Sequence, residues 1–295
     1  MSENSGNSNV ITRKYLDSLL VETRYMNSVS PDLTMELYGK RFSSPVMTAA
    51  LSHLDHFMFD GATKAYAEGA AKADVILWLG MADEKEVELC ASSGAPMIEI
   101  IKPYTDRDLI YQKIRHAEKL GLLAVGIDID HPFGSDGSPD IVDGYEMSPI
   151  RTEELREICS ATSLPVIAKG VLSTYDAEEA VDAGAQGLVI SHHNNRISYA
   201  VPPLKALPEI RKSLKKPVPL FVDGDIRSGM DAFKALALGA HAVCIGRPLM
   251  TAIKNGGADA MASYLAEVNA DLKKAMACTG CFNLSRMDPA VVHLS

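Results

Sequence analysis

The chain has 295 residues, of which 47% are apolar and 23% charged, and its formal net charge is −9. This composition is typical of a globular protein with a sizeable core, and the negative charge argues against binding to nucleic acid or to an anionic membrane. No apolar run approaches the roughly 20 residues of a membrane-spanning helix. The five cysteines are scattered and odd in number, which favours free thiols in a reducing cytoplasm over a disulfide framework.

The first residues, MSENSGNSN, are polar and lack the apolar segment of a signal peptide, so they predict a short disordered tail. We expect residues 1–24 to form this tail and a short helix. No linker-like segment divides residues 25–295, which we expect to form a single domain. A lone Cys278-Thr279-Gly280-Cys281 motif has no second pair of ligands, so we predict two free thiols and no metal site.

Short apolar runs alternate with amphipathic stretches from about residue 45 onward. Eight runs are apolar on both faces, as parallel strands covered by helices are. The predicted strands are 45–51, 74–79, 96–101, 123–129, 165–169, 187–191, 217–222 and 242–245. The predicted helices are 62–72, 85–92, 106–119, 152–160, 175–183, 204–214 and 229–238. This alternation predicts an α/β fold, a single (β/α)8 TIM barrel, with an open doubly wound sheet as the alternative.

Polar residues follow four consecutive predicted strands, and barrel active sites lie at those strand ends. Lys169 ends the fifth strand, where a lysine in the barrel mouth and a lysine snorkelling at the surface are equally compatible with the pattern. His193 and Arg196 follow the sixth strand and suggest acid–base chemistry beside anion binding. The glycines and arginines after the seventh and eighth strands are typical of a phosphate site. Together they predict a cofactor site anchored by a phosphate.

The segments LPVIAKGVLSTYDAEEAVDAGAQGLVISHHNNR and LFVDGDIRSGMDAFKALALGAHAVCIGRPLM closely resemble the FMN-dependent 2-hydroxy-acid oxidase and dehydrogenase family. The resemblance is dense over about residues 164–250 and looser over about residues 24–130. It implies FMN as cofactor and oxidation of a 2-hydroxy acid to the 2-oxo acid, with a histidine as base and hydride passing to flavin N5. It also implies a small-molecule substrate and a homo-oligomer, commonly a tetramer.

The resemblance assigns roles to individual residues. Lys169 matches a lysine beside the flavin N1–O2 edge, where a cation stabilises the charge of the reduced ring. His193 matches the base, Asp130 the carboxylate that partners it, and Arg196 the arginine that binds the substrate carboxylate. The positions that match cofactor contacts are Ala50, Leu51, Ser52, Glu99, Asp128, Lys169, Asp223, Gly224, Asp225, Arg227, Gly246 and Arg247.

Two departures from the family pattern concern the backbone. His192, Asn194 and Asn195 replace an asparagine and two glycines after the sixth strand. Asparagine tolerates left-handed backbone better than most residues, so we expect this loop to keep its shape. Asp225 stands where the phosphate loop usually has a second glycine, which brings a carboxylate near the phosphate.

Further departures concern the polar groups around substrate and flavin. Glu99 and Ile101 stand where the family has a flavin-binding glutamine and a substrate-binding tyrosine, and Asp128 replaces a flavin-contacting threonine. The second carboxylate-binding arginine has no counterpart in residues 133–143. These changes leave two alternatives open. One is an FMN-binding barrel of another class, such as a non-redox flavin isomerase or a catalytically degenerate flavoprotein. The other is a barrel that binds only a sugar phosphate.

Overall fold

The computed structural model describes residues 6–295 and contains a parallel eight-stranded barrel. The barrel strands are Val46–Thr48 (β1), Leu77–Leu79 (β2), Met97–Ile101 (β3), Ala124–Asp128 (β4), Val166–Val171 (β5), Gly187–Ile190 (β6), Leu220–Val222 (β7) and Ala242–Ile245 (β8). They pair in the order β1-β8-β7-β6-β5-β4-β3-β2. A parallel bridge between Leu51 and Leu79 links the two ends of this sheet, so the strands close into a barrel. The predicted fold is confirmed, and each predicted strand run overlaps one observed strand.

Eight helices surround the barrel. They are Ala62–Lys72 (α1), Glu84–Ala91 (α2), Arg107–Leu120 (α3), Thr152–Ser160 (α4), Thr174–Asp182 (α5), Pro203–Ser213 (α6), Gly229–Ala237 (α7) and Arg247–Thr279 (α8). The first seven overlap the predicted helices, and α8 follows the last strand with a break in helical geometry at Gly256 and Gly257. Helix α8 packs closely on α1, where a Cβ on Gly69 would lie 2.8 Å from Met261 Sδ.

The barrel interior is filled by alternate residues of each strand. Ile98 and Ile100 of β3 face inward, while Met97 and Ile101 pack in the separate apolar layer between strands and helices. Trp78 and Phe221 meet edge to face inside the barrel, with ring centroids 5.2 Å apart. The antiparallel hairpin of Met35–Leu37 and Lys40–Phe42 covers the N-terminal end of the barrel. Polar side chains are therefore left to the opposite end.

The polar N-terminus is ordered over the part that the structure describes. Asn7 caps an α-helix over Ser8–Ser18, which we call the N-terminal helix, by accepting hydrogen bonds from the backbone of residues 9 and 10. The expected disordered tail is therefore wrong for residues 7–9, because a capping asparagine begins a helix there; residues 1–5 lie outside the described residues. After the helix, strand Leu19–Val21 pairs antiparallel with Val292–Leu294. The two ends of the chain thus meet beside the barrel.

The segment between β4 and α4 forms a long loop at the C-terminal face of the barrel. It contains a short hairpin of Ile141–Val142 and Tyr145–Glu146. Within residues 6–295, no helix has the length and apolar character needed to cross a membrane.

Candidate active site

Three charged side chains meet at the C-terminal end of the barrel on neighbouring strands. Asp128 ends β4 and pairs in register with Lys169 of β5, and its Oδ1 lies 2.7 Å from Lys169 Nζ. Asp128 Oδ2 lies 2.6 Å from Nζ of Lys102, the residue that follows β3. All three side chains are buried, with relative exposures of 7% or less. A buried carboxylate therefore bridges two ammonium groups.

Burial and neighbouring charges act in opposite directions on the pKa values of Asp128 and Lys169. Burial alone would raise the pKa of Asp128, yet the positive charges of Lys169, of His193 when protonated and of Lys102 hold it well below its usual range. Burial alone would likewise lower the pKa of Lys169, but the neighbouring carboxylates, first of all Asp128, raise it. Lys169 therefore remains charged at the barrel mouth. The snorkelling alternative for Lys169 is wrong, because its side chain points inward and is 5% exposed.

His193 lies beside this group and is oriented by a carboxylate. Its Nδ1 is 2.9 Å from Asp130 Oδ1, 3.4 Å from Lys169 Nζ and 3.7 Å from Asp128 Oδ1. The shortest contact assigns the Nδ1 proton to a hydrogen bond donated to Asp130, which leaves the lone pair on Nε2. A Cβ on Gly170 would clash with the Asp130 carboxylate, so a glycine at that position makes room for the pair.

The loop that carries His193 has a left-handed backbone. His193, Asn194 and Asn195 have φ values of 45°, 55° and 69° in succession. The expectation that asparagines preserve this loop is thereby supported. Their side chains also bind the N-terminal helix, since Asn195 Oδ1 accepts a hydrogen bond from the Ser8 backbone at 2.6 Å and Asn194 Oδ1 one from Asn9 Nδ2 at 3.0 Å.

His192 shows how the N-terminal helix covers this side of the mouth. Its Nδ1 accepts a hydrogen bond from the Asn195 backbone at 3.2 Å, so its Nε2 donates to Thr12 Oγ1 at 2.9 Å. Burial lowers the pKa of His192, in agreement with a neutral ring.

Arg196 is already engaged by the loop after β4. Its Nη2 lies 2.6 Å from Asp140 Oδ2 and also donates to the Phe133 carbonyl oxygen. The same Asp140 oxygen lies 3.2 Å from His131 Nε2. Burial, followed by the charge of Lys102, lowers the pKa of His131 to about 4, so this ring is neutral at neutral pH. The arginine expected to bind substrate is thus held by a carboxylate of the protein.

A cavity of about 200 Å³ opens beside Lys169 and His193. Its wall includes these predicted site residues: Ala50, Leu51, Lys169, His193, Asp223, Gly224, Asp225, Gly246 and Arg247. Gly224 has a φ of 104°, and Gly246 begins α8, so two tight turns meet at the end of the cavity. Arg227 and Arg247 both contact Asp225 there. Backbone turns, a helix start and guanidinium groups suit a phosphate.

Four predicted cofactor contacts are not part of this cavity wall: Ser52, Glu99, Asp128 and Arg227. Glu99 is on the outer face of β3, where Oε1 is 3.8 Å from Lys113 Nζ of α3, because successive residues of a strand point to opposite faces. Ile101 shares that outer face. The structure does not support the expected flavin contact of Glu99, because this side chain points away from the barrel interior. The side chains that point inward are those of Ile100 and, two residues later, Lys102. Ser52 does not line the cavity; its hydroxyl lies against Gly80.

Two residues near the site were missed by the sequence reasoning. Lys102 could have been found from the alternation of β3, since it lies two residues beyond Ile100 on the same face. Arg13 of the N-terminal helix reaches the turn after β7, where its Nη1 is 3.2 Å from the Asp225 carbonyl oxygen. No local pattern marks Arg13, which is more than 200 residues away from Asp225 in sequence.

Asp128, Asp130 and His193 also form the one group of potential metal ligands found within residues 6–295, with ligand atoms within 4.8 Å of one another. Both oxygens of Asp128 already contact lysine ammonium groups. The donor set therefore fits an ion-pair cluster better than a cation site. A second, larger groove lies at the opposite end of the barrel, near Arg41 and Arg211, and contains none of the predicted site residues.

Comparisons with known proteins agree with this geometry. The family model of FMN-dependent dehydrogenases matches residues 3–152 and 137–294. Glycolate oxidase from Spinacia oleracea is 30% identical over 87% of this chain and 79% of its own length. 2-Hydroxyacid oxidase 1 from Homo sapiens is 27% identical over 90% of this chain and 83% of its own. A solved structure of mandelate oxidase superposes with a TM-score of 0.87 at 28% identity, covering 98% of this chain and 90% of that one.

These matches extend over the barrel and its N-terminal helix, and another mandelate oxidase structure with a TM-score of 0.87 contains an FMN adduct. The family resemblance, the FMN cofactor and the oxidoreductase class expected from the two quoted segments are confirmed. The chain belongs to the family of FMN-dependent dehydrogenases.

Proposed function

We propose that this chain oxidises a 2-hydroxy acid to the corresponding 2-oxo acid with His193 as the general base. The observation that carries the proposal is the His193–Asp130 pair at 2.9 Å beside the Lys169–Asp128–Lys102 cluster. A histidine that can accept a proton, with two lysines at the same end of the barrel, supports this chemistry. Relatives named glycolate oxidase and 2-hydroxyacid oxidase support the class of substrate.

His193 would take the hydroxyl proton on Nε2, because Nδ1 donates to Asp130. The imidazolium formed in this step would be stabilised by Asp130 and, at 3.7 Å, by Asp128. The positive charge of Lys169 would destabilise the imidazolium, but Lys169 Nζ lies 2.7 Å from Asp128 Oδ1, and the negative charge of Asp128 offsets it. The negative charge of Asp128 thus allows Lys169 and a protonated His193 to lie side by side.

The residues around the cavity fit FMN. Gly224 and Gly246, with Arg13, Arg227 and Arg247, would hold the phosphate, and Ala50 and Leu51 line the wall where the ring would lie. FMN supplies the two-electron acceptor for the oxidation. Lys169 offers the nearby cation that the reduced ring requires.

Lys102 would bind the substrate carboxylate. An ammonium has three donors, and Lys102 uses one, on Asp128, among the hydrogen bonds of the described residues. It is 5% exposed, so its remaining donors have little access to water. It lies on the inward face of β3, and Arg196 is engaged by Asp140. Lys102 therefore compensates for the substrate arginine that the sequence lacks.

We further propose that the protein works in the cytoplasm as a homo-oligomer, a tetramer by family resemblance. Five free cysteines support a reducing compartment. Light scattering on the purified protein tests the assembly, and a monomer across the working concentration range would contradict it.

Anaerobic flavin bleaching tests the central assignment. Wild-type protein should lose its yellow colour when mixed with a hydroxy acid from a panel of glycolate, lactate, mandelate and longer acids. His193→Ala should keep its FMN and lose about 10²- to 10⁴-fold of the bleaching rate, the usual contribution of a general base. Full bleaching by the variant would remove His193 from its role, and bleaching of the wild type by no hydroxy acid would remove the substrate class.

A further inference from the structure

The turn after β7 holds a carboxylate among the arginines that would bind the cofactor's phosphate. Asp225 Oδ1 lies 2.8 Å from Arg227 Nη2 and 3.1 Å from Arg247 Nη2. Arg227 Nε donates to the same oxygen at 2.8 Å. Arg13 Nη1 lies 3.2 Å from the Asp225 carbonyl oxygen and 3.8 Å from Oδ2. Three guanidinium groups therefore converge on one aspartate.

This aspartate is buried and lines the cavity. Its side chain is 3% exposed, its φ is 65°, and its Oδ2 has no hydrogen-bond partner within the described part of the chain. A buried carboxylate oxygen without a donor is costly, and left-handed backbone adds a smaller cost. The surrounding arginines must offset these costs, so the carboxylate and the guanidinium groups depend on one another.

The charges in contact with this turn largely cancel before any ligand binds. Arg13, Arg227 and Arg247 contribute three positive charges. Asp231 takes up one of them, because its two oxygens lie 3.1 and 2.9 Å from Arg13 Nη1 and Nη2. Asp225 takes up another. A phosphate monoester carries about 1.5 to 2 negative charges at neutral pH, so it would enter with the same sign as Asp225 and seek the same donors.

We propose that Asp225 is an internal substitute for the phosphate. Its carboxylate holds the three arginines together while the cofactor is absent and competes with the phosphate for them when FMN binds. The inference rests on the assignment of this turn as the phosphate site and not on the identity of the substrate. Its consequence is an apoprotein that is more stable, and an affinity for FMN that is lower, than an uncharged residue at this position would give.

Titration of the apoprotein with FMN, followed by quenching of flavin fluorescence, tests the competition. Asp225→Asn keeps the size of the side chain and tolerates the left-handed backbone, but removes the charge. We expect it to bind FMN at least tenfold more tightly than the wild type, since like charges in contact oppose binding strongly. Binding of riboflavin, which lacks the phosphate, should stay within twofold.

Asp17→Asn is the matched control. Asp17 also contacts Arg13, at 2.7 Å, but its side chain is 66% exposed and lies outside the turn. This variant removes one negative charge from the same arginine and should leave the FMN affinity within twofold of wild type. An equal gain in Asp17→Asn and Asp225→Asn would reduce the effect to net charge and overturn the proposal.

Thermal unfolding of the apoprotein gives a second readout. Asp225→Asn should lower the Tm of the apoprotein, and inorganic phosphate should raise the Tm of the variant more than that of the wild type. If Asp225→Asn does not fold, Asp225→Gly, which relieves the backbone strain at this position, takes its place in both measurements. Unchanged or weaker FMN binding by a folded variant overturns the proposal alone. Absence of FMN binding by wild type and both variants overturns the phosphate-site assignment as well.

Discussion

Asp128 accepts hydrogen bonds from two ammonium groups at once, which makes it the organising residue of the barrel mouth. Lys102 and Lys169 approach separate oxygens, at 2.6 and 2.7 Å. Without the carboxylate of β4, the two buried ammonium groups that flank it, from the end of β3 and from β5, would repel each other. With it, the raised pKa of Lys169 keeps that lysine charged, in a place where a hydroxy acid and a reduced flavin would each bring a negative charge.

The role of Lys102 can be separated from that of Lys169 by substitution. Lys102→Met should raise the KM for the hydroxy acid and the Kd of the 2-oxo acid product roughly 10- to 100-fold, the usual effect of losing a hydrogen bond to a charged group. FMN content should not change, because Lys169 remains on Asp128. Steady-state kinetics and titration with the product measure both constants, and Lys102→Arg should recover part of the affinity. An unaltered Kd would leave Lys102 with a structural role only.

Glu99 is a buried acid in the helix layer, and its ionisation opposes folding. Burial raises its pKa to about 7, from a value of 4.5 for the unperturbed group, against the opposing effect of Lys113. Between these two values the folded state binds more protons than the unfolded state, so stability falls as pH rises through this window. Above it the cost is constant, about 3 kcal/mol at 1.36 kcal/mol per pKa unit.

Glu99→Gln removes this cost and should therefore stabilise the protein at pH 8 but have little effect at pH 4.5. Urea unfolding at the two pH values measures the difference in the free energy of unfolding. The same gain at both pH values would mean that Glu99 acts through packing and not through its charge.

At the scale of elements, the strands were predictable and their inward faces were not. Every barrel strand was found from its apolar run, because parallel strands covered on both sides are apolar throughout. The same property hides the orientation of Met97–Ile101, in which all five residues are buried. The family resemblance assigned Glu99 to the flavin, and the apolar pattern could not show that this residue faces outward, whereas Lys102, just beyond the strand, faces inward. Arg13 was missed for another reason, since only tertiary packing brings the N-terminal helix to the turn after β7.

The loop between β4 and α4 acts on the site through Asp140. Because Asp140 holds Arg196, it would compete with any substrate carboxylate for that guanidinium group. Asp140→Asn should free Arg196 and lower the KM for the hydroxy acid about three- to tenfold, the range of a modest hydrogen-bond gain. Asp143→Asn, in the same loop but 3.4 Å from His53 instead, is the control. A raised KM in Asp140→Asn would show that the ion pair positions Arg196 productively.

At the scale of the whole molecule, the two ends of the chain are joined through a small antiparallel sheet. Leu19–Val21 pairs with Val292–Leu294, and the N-terminal helix that precedes this strand brings Arg13 to Asp225 in the turn after β7. Lys234 of α7 donates a hydrogen bond to the Leu16 carbonyl oxygen at 2.8 Å, which holds the last turn of the N-terminal helix against α7. Residues far from the cavity therefore affect whether Arg13 reaches Asp225.

Removing residues 291–295 should lower the Tm and weaken FMN binding together, because Val291 is fully buried and the pairing of Leu19–Val21 is lost. Differential scanning fluorimetry and FMN titration measure the two effects. His293→Ala removes an exposed side chain that contacts Glu22 but keeps the backbone pairing, so it should behave like the wild type. Normal FMN affinity in the shortened chain would show that the helix is held by the barrel alone.

The alternation along β3 has a consequence for how this site can evolve. Glu99 and Lys102 lie three residues apart on opposite faces of one strand, so they differ in both sign and orientation. A one-residue shift in the register of a strand moves every side chain to the other face. A single-codon insertion or deletion at the start of β3 would thus take the ammonium group away from the mouth and turn a carboxylate toward it. The charge that β3 presents to the barrel mouth therefore depends on the length of the segment before the strand as well as on the identity of its residues.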